Sequence, residues 1–394
     1  MGMHHAEHRI RVLAVPPLLG AVLAGVASPA PAALAAGWAG PASRLASVGR
    51  GGILYGAAAI SARSAWAVGL ADPARPKTLI ERWRGGVWRR LPSPTSASGG
   101  SLSAVAVTSA DRAWAVGQTG SLATLKPSTL IERWNGTRWR IVPSPTPAHG
   151  GALYGVAAAS ARSAWAVGQT RGSFSTRPRT LILRWNGAAW RRVPSPNAAT
   201  PGSYLAAVAA ASPSSAWAVG CACNGPALKP LIERWNGTRW RIVPSPDPAP
   251  GGSVLYGVAV TSARSAWAVG CVACLRADPK TLILHWNGTA WKRVRSPNPA
   301  SGGTLDWVAV TSASDAWAVG FTGVPGPSRP KTLIERWNGI AWKRVPSPSP
   351  TGTAALFSVA AASARSAWAV GATGRLGGAN PRTVALRWNG ATWK

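Results

Sequence analysis

Four cysteines are the residues of this 394-residue chain whose spacing most directly suggests chemistry. Cys221 and Cys223 follow Gly220, and Cys271 and Cys274 follow Gly270, so a C-x-C pair and a C-x-x-C pair sit 50 residues apart at matching places. Two chemistries fit. In an oxidising compartment such pairs close into disulfides, whereas four thiolates at these spacings could hold a tetrahedral zinc ion. Disulfides are the preferred reading, because the chain begins with an export signal. The pairing stays open among three connectivities, with Cys271–Cys274 a feasible local bridge and Cys221–Cys223 a tight one.

Acid–base catalysis has little to work with. Asp and Glu total 11 against 43 Lys and Arg. Glu81, Glu132, Glu233 and Glu335 share one recurring position, each before an arginine, and are expected to be solvated or ion-paired outer residues that do not converge. Asp72, Asp111, Asp247, Asp278, Asp306 and Asp315 are scattered. Glycoside hydrolysis needs two carboxylates about 5–10 Å apart, and no local pair supplies them. Beyond the first ten residues only His149 and His285 remain, so no nucleophile–histidine set is marked. With no phosphate-cradling glycine loop and no metal motif beyond the cysteines, no cofactor and no metal are expected, and binding is favoured over catalysis.

What must position these residues is a repeat. A tryptophan recurs at Trp66, Trp114, Trp165, Trp217, Trp267, Trp317 and Trp368, every 48–52 residues, a period that marks a repeat architecture. Each unit holds four strand-like segments, A to D. Segment A, as in Leu153–Ala159, is rich in Ala, Val and Gly, small enough to crowd around an axis. Segment B, as in Ala164–Gly168, alternates Ala164 and Ala166 with Trp165 and Val167, leaving both faces apolar. Segment C reads like Thr129–Trp134, and segment D like Trp139–Val142, ending at Pro-Ser-Pro. Asn-Gly joins C to D at Asn135, Asn186, Asn236, Asn287, Asn338 and Asn389, a hairpin signal that predicts a type I′ turn. Three of these asparagines also match the glycosylation pattern, but the turn explains them better, since the asparagine recurs without the threonine. Four antiparallel strands repeated seven times make an all-β chain: a seven-bladed β-propeller of four-stranded antiparallel blades over residues 53–394.

The units resemble Kelch or galactose-oxidase-like propeller repeats. Ala266–Gly270 stands where that family has an apolar strand ending in glycine, and Trp286 and Trp291 where it has an aromatic on the third strand and a tryptophan on the fourth. The family's glycine pair is here a single glycine, followed by Leu70, Gln118, Cys221 or Phe321. A copper oxidase of the galactose-oxidase kind would need a histidine and tyrosine ligand set, which His149 and His285 do not supply.

The B–C loops differ in every unit, and loops on a rigid scaffold are where binding concentrates. Most are basic, through Arg75, Lys77, Lys126, Arg171, Arg177, Arg179, Lys229, Arg276, Lys280, Arg329, Lys331, Arg375 and Arg382. At the start of segment A, on the same face, one position holds Tyr55, Ser103, Tyr154, Ala206, Tyr256, Asp306 or Phe357, and Trp307 follows Asp306. The ligand-binding candidates are therefore Asp306, Trp307, Tyr55, Tyr154, Tyr256 and Phe357 at the channel mouth, with Arg179 and Lys331 on the loops. Aromatic rings beside a carboxylate could stack on and hydrogen-bond a sugar. Inter-blade packing would use the same residues.

The N-terminus is separate. His8, Arg9 and Arg11 precede an apolar run from Val12 to Val26 that contains Pro16 and Pro17, and Ala33-Leu34-Ala35 offers a cleavage site. Residues 1–35 read as a secretory signal peptide. The run is shorter than the roughly 20 residues of a membrane span, so no span is expected after cleavage and the mature chain is expected to be secreted. Within the N-terminal segment 36–52, Arg44-Leu45-Ala46-Ser47 ahead of Gly51-Gly52 resembles Arg90-Leu91-Pro92-Ser93 ahead of Gly99-Gly100. Residues 43–48 are therefore expected to complete the outer strand of blade seven. The net charge of +32 favours polyanions. The expected partner of this secreted monomer is an anionic or neutral cell-surface glycan or polymer, or a protein, with no specific nucleic acid. A carbohydrate-active enzyme centred near Asp306 is the alternative.

Overall fold

The computed structural model describes residues 51–94, 96, 98–120, 126–170, 178–198, 202–224, 227–246, 251–323, 329–350, 352–374 and 380–394. The expected signal peptide and the latch over 43–48 lie outside these residues, as do Arg171, Arg177 and Arg375. The described chain folds as seven antiparallel sheets in sequence order, a seven-bladed propeller. Blade one sets the pattern with strand A at Ile53–Ser61, B at Ser64–Leu70, C at Thr78–Arg84 and D at Val87–Leu91. Blades two to six repeat it. Among the described residues blade seven pairs three strands, with one bridge, between Trp388 and Trp393, at its outer position.

The alternation in strand B builds the ring. Trp66 and Val68 point forward into a cluster with Leu102, Val105, Trp134 and Trp139 of blade two. Ala65 and Ala67 point back toward Trp368 and Val370 of blade seven. A large residue on one blade thus fills the space left by alanines on the next, and the arrangement repeats around the ring. Trp66 meets Trp134 at 5.0 Å and Trp139 at 5.1 Å between ring centroids, both edge-on, a geometry that adds about 1 kcal/mol per pair beyond area burial. Arg82 caps the pair, its guanidinium 4.7 Å from the Trp66 ring and 5.5 Å from Trp134. In blade five His285 replaces this arginine and lies 4.3 Å from Trp267.

The asparagine signal misjudges the turn type at all six Asn-Gly positions, where the glycine alone has positive φ. At Asn135 the hairpin loop has four residues, between the Trp134–Trp139 pair. Only Gly136 has positive φ (99°), and the Asn135 side-chain oxygen accepts from the backbone N–H of Thr137 and Arg138. The asparagine acts through its side chain, as an Asx turn does, not through a left-handed backbone. The two-residue I′-like turn occurs instead in blade one, where Gly85 and Gly86 both have positive φ (65° and 88°) between paired Arg84 and Val87.

Candidate binding face

The B–C loops and the starts of the A strands share one face. There each strand A carries a β-bulge. In blade one Leu54 pairs with Gly69 and Gly56 with Val68, so Tyr55 is the extra residue. The same shift singles out Ser103, Tyr154, Ala206, Tyr256, Asp306 and Phe357. A bulge re-aims a side chain and breaks the ladder locally. The seven residues picked out by the repeat are thus one structural set, one per blade on the innermost strand. The glycine ending strand B serves this bulge: a Cβ on Gly69 would lie 1.9 Å from the Ile53 carbonyl oxygen.

The bulge residue and its successor alternate around the ring. Tyr-Gly occupies blades one, three and five, at Tyr55-Gly56, Tyr154-Gly155 and Tyr256-Gly257. Blades two, four and six carry Ser103-Ala104, Ala206-Ala207 and Asp306-Trp307. A Cβ on Gly56, Gly155 or Gly257 would come within 2.8 Å of Ala104, Ala207 or Trp307 Cα in the next blade, so these glycines let inner strands touch. Blade seven has Phe357-Ser358, and Ser358 Oγ accepts from the Ala57 N–H of blade one at 3.0 Å.

Of the candidates, Tyr256 is half-buried, while Tyr55, Tyr154, Asp306 and Phe357 are buried. Tyr55 and Phe357 meet at 5.9 Å in an apolar cluster with Leu70 and Phe321. Tyr154 and Tyr204 meet at 6.3 Å in a second cluster with Cys221, Cys271 and Val254. Trp307 is half-buried and packs against the cluster between blades four and five and the cluster between blades six and seven. The mouth is thus largely occupied by its own side chains. Burial pushes the Asp306 carboxyl well above the usual carboxylate range, because the charged form loses its hydration there. Burial, then the nearby Asp306, raises the Tyr256 hydroxyl.

The cysteines flank this mouth as two disulfides, Cys221–Cys223 and Cys271–Cys274, at the ends of strand B in blades four and five. Both sulfur pairs are consumed, and among the described residues no group of three His, Cys, Asp or Glu could hold a metal. The Tyr256 hydroxyl lies 3.7 Å from Cys271 Sγ. Ala273, inside the second bridge, has a positive φ of 55°.

Around the mouth stands a basic rim. Lys77, Arg179, Lys229, Lys280, Lys331 and Arg382 occupy one repeat position, six residues before the second tryptophan in six blades, and all but the half-buried Lys280 are exposed. Lys280 pairs with Asp278 at 3.3 Å, the rim's one ion pair among the described residues. Exposed arginines also dot the A–B turns of the opposite face, at Arg63, Arg112, Arg162, Arg264 and Arg365.

One expectation is overturned. Glu81, Glu132, Glu233 and Glu335 are buried between blades, not solvated. Burial raises Glu132, Glu233 and Glu335 to about 8, against the lowering effect of a serine hydrogen bond, and raises Glu81 to about 7 despite Arg90 nearby. The signal was present in the repeat: the same position holds Leu183, Leu284 and Leu386 in the other blades, and a site that takes leucine is interior. The four carboxylates lie in four different interfaces, so they do not converge.

No protein-family model matches the sequence, and none of the curated proteins compared is similar to it. Several solved structures are similar in fold. YCF48 bound to D1 peptide aligns with a TM-score of 0.53 and 13% identity over 86% of this chain and 95% of that one. YCF48 from Cyanidioschyzon merolae gives 0.54 and 14% over 86% and 98%. The extracellular domain of the putative hybrid two component system BT4673 from B. thetaiotaomicron gives 0.50 and 8% over 85% of this chain and 38% of that one. At these identities what is shared is the propeller.

Proposed function

We propose that this chain is an exported, non-catalytic binding module that holds an acidic cell-surface polymer across its B–C face. The rim of cations at one repeat position carries the reading: among the described residues its charges are almost without acidic partners, as a surface selected to meet an anion would be. Export is supported by the sequence at residues 1–35, by the two disulfides, and by a propeller neighbour that is an extracellular domain. No described helix is long and apolar enough to cross a membrane.

Because the opposite face is also basic, charge alone does not choose between faces, and the test must. Binding of acidic and neutral cell-wall polymers is measured at low and high salt for three proteins: wild type, a variant with Lys77, Arg179, Lys229, Lys331 and Arg382 changed to Gln, and one with Arg63, Arg112, Arg162, Arg264 and Arg365 changed to Gln. Weakened binding and a shallower salt dependence only in the first variant support the reading. Equal losses in both reduce the charge to a generic attractor of polyanions.

A second reading, a protein-interaction platform, is favoured by the similar structure of YCF48 bound to D1 peptide. The apolar clusters around Tyr55 and Tyr154 would then anchor side chains. Acidic peptides in the same panel, with binding that survives salt, distinguish it. Asp306→Asn separates both from the enzyme alternative, since only a catalyst would lose turnover.

A further inference from the structure

The two disulfides occupy matching places in neighbouring blades but are built differently. Cys221 and Cys223 both lie within strand B of blade four, Ser215–Asn224, and both are paired to strand C, Cys221 with Pro230 and Cys223 with Leu228. In blade five strand B, Ser265–Val272, ends before its second cysteine. Cys271 is held on both sides, by Val254 and Thr281, whereas Cys274 stands in a turn. Arg276 N–H donates to the Ala273 carbonyl at 2.9 Å, which makes Cys274 and Leu275 the central residues of that turn. Opening the first bridge would leave its outer sulfur on a paired strand. Opening the second frees a sulfur at a loop tip.

The sulfurs themselves are unequal. Cys221 and Cys271 are buried, while Cys223 and Cys274 are half-buried. An incoming thiolate therefore reaches Cys223 or Cys274, and the buried sulfur must leave as the new thiolate. A thiolate in apolar surroundings is unfavourable unless a donor meets it. Cys271 has such a donor, since the Tyr256 hydroxyl lies 3.7 Å from its Sγ. Burial, then the nearby Asp306, pushes that hydroxyl above the usual tyrosine range, so it keeps its proton. The bulge residue of blade four is Ala206, which offers Cys221 no hydroxyl. The turn also presents contacts for a partner. Leu275, beside the accessible sulfur, is 63% exposed. Arg276 is exposed two residues after Cys274, and the loop's carboxylate, Asp278, is spent on Lys280 at 3.3 Å. A cationic surrounding favours the approach of a thiolate.

We propose that Cys271–Cys274 is a thiol–disulfide exchange site on the B–C face, and that Cys221–Cys223 is a structural bridge. A thiolate from outside attacks Cys274 Sγ. The new S–S bond forms as the Cys271–Cys274 bond breaks, and the electron pair leaves on Cys271, where the Tyr256 hydroxyl donates to it. One disulfide replaces another, so no oxidant or reductant is consumed. The product ties the thiol's carrier covalently to the face, and return attack by Cys271 releases it. The attacking group is a thiol, borne by a small molecule or by a cysteine of a peptide.

The test exposes the intact oxidised chain to glutathione, or to a peptide with an apolar residue beside its single cysteine. Acid quenching, alkylation of new thiols and peptide mass spectrometry then locate the adduct. The expected product carries the adduct on Cys274 and a free Cys271. It should form at least about tenfold faster than the Cys221–Cys223 pair opens in the same molecules. Tyr256→Phe should slow it by about tenfold, the size of a lost hydrogen bond to a charged group. The rate at Cys221–Cys223 should not change in that variant, whereas a general loosening of the fold would raise it. An adduct on Cys271, equal rates at the two pairs, no opening of either, or an unchanged rate in Tyr256→Phe overturns the proposal. Peptide exchange that outruns glutathione and drops to its rate in Leu275→Ser identifies a protein cysteine as the partner; equal or slower peptide exchange identifies a small thiol.

Discussion

The seam between blades seven and one differs from the other six interfaces, although the residues in all seven are nearly the same. In the six, the first tryptophan of a blade meets the second tryptophan of the next at 4.8–5.0 Å and the third at 5.0–5.2 Å. At the seam Trp368 lies 6.3 Å from Trp83. Five of the six place an arginine over two rings, whereas Arg387 covers Trp83 alone, at 5.3 Å. Blade one also turns from strand C to D by Gly85-Gly86 rather than by an asparagine-capped loop. Identical packing residues therefore do not guarantee identical packing: six interfaces join consecutive blades, and the seventh joins regions far apart in the chain.

The sharpest test of the contrast is deletion of its main contact. Trp165→Ala at an ordinary interface should cost about 3–5 kcal/mol, and Trp368→Ala at the seam measurably less, by denaturant titration; equal costs would show that ring spacing is not what distinguishes them. Acidity gives the next largest effect. Glu132, Glu233 and Glu335 have pKa values raised from 4.5 to about 8. The folded state thus holds protons that the unfolded chain has released, and stability is lost as pH rises from about 4.5 through about 8. Thermal melts should fall across that window, and the triple change to Gln should flatten the fall. Glu81, raised to about 7, should end its own contribution about one pH unit earlier, which Glu81→Gln isolates.

A smaller effect belongs to the interface of blades five and six, where His285 replaces arginine and burial lowers its pKa, leaving it neutral over Trp267. His285→Arg should restore the cation over the ring and stabilise by about 0.5–1 kcal/mol. The smallest is Ala273→Gly, which relieves a left-handed φ of 55° and should be neutral or stabilising by up to about 1 kcal/mol. A clear loss of melting temperature there would mean that the disulfide loop depends on the alanine.

The propeller was legible because its tryptophans, alanines and strand-ending glycines obey one spacing, and each has one packing task. The bulge was not legible as a bulge. The sequence marks Tyr55, Tyr154 and Asp306 as variable at a fixed place, but an extra residue in a strand leaves no spacing signal when every blade carries it. Asn135 was misread because its dipeptide suits two turns, and only the backbone distinguishes a side-chain cap from a left-handed residue. Glu81 and its equivalents were misread because charge outweighed the leucines in the same column. The basic rim was visible as composition; that its six cations share one register position became plain only when strand C was located.

The alternation of Tyr-Gly with pairs whose second residue carries a Cβ has a consequence of parity. A two-blade rhythm closes without conflict on a ring of even number, and this ring is odd. Somewhere two blades of the same type must be neighbours, and here they are seven and one. Phe357-Ser358 stands there in place of a fourth Tyr-Gly, with the serine hydroxyl accepting from Ala57. Along the inner strands the repeating unit is then a pair of blades, three times over, plus one blade that settles the mismatch.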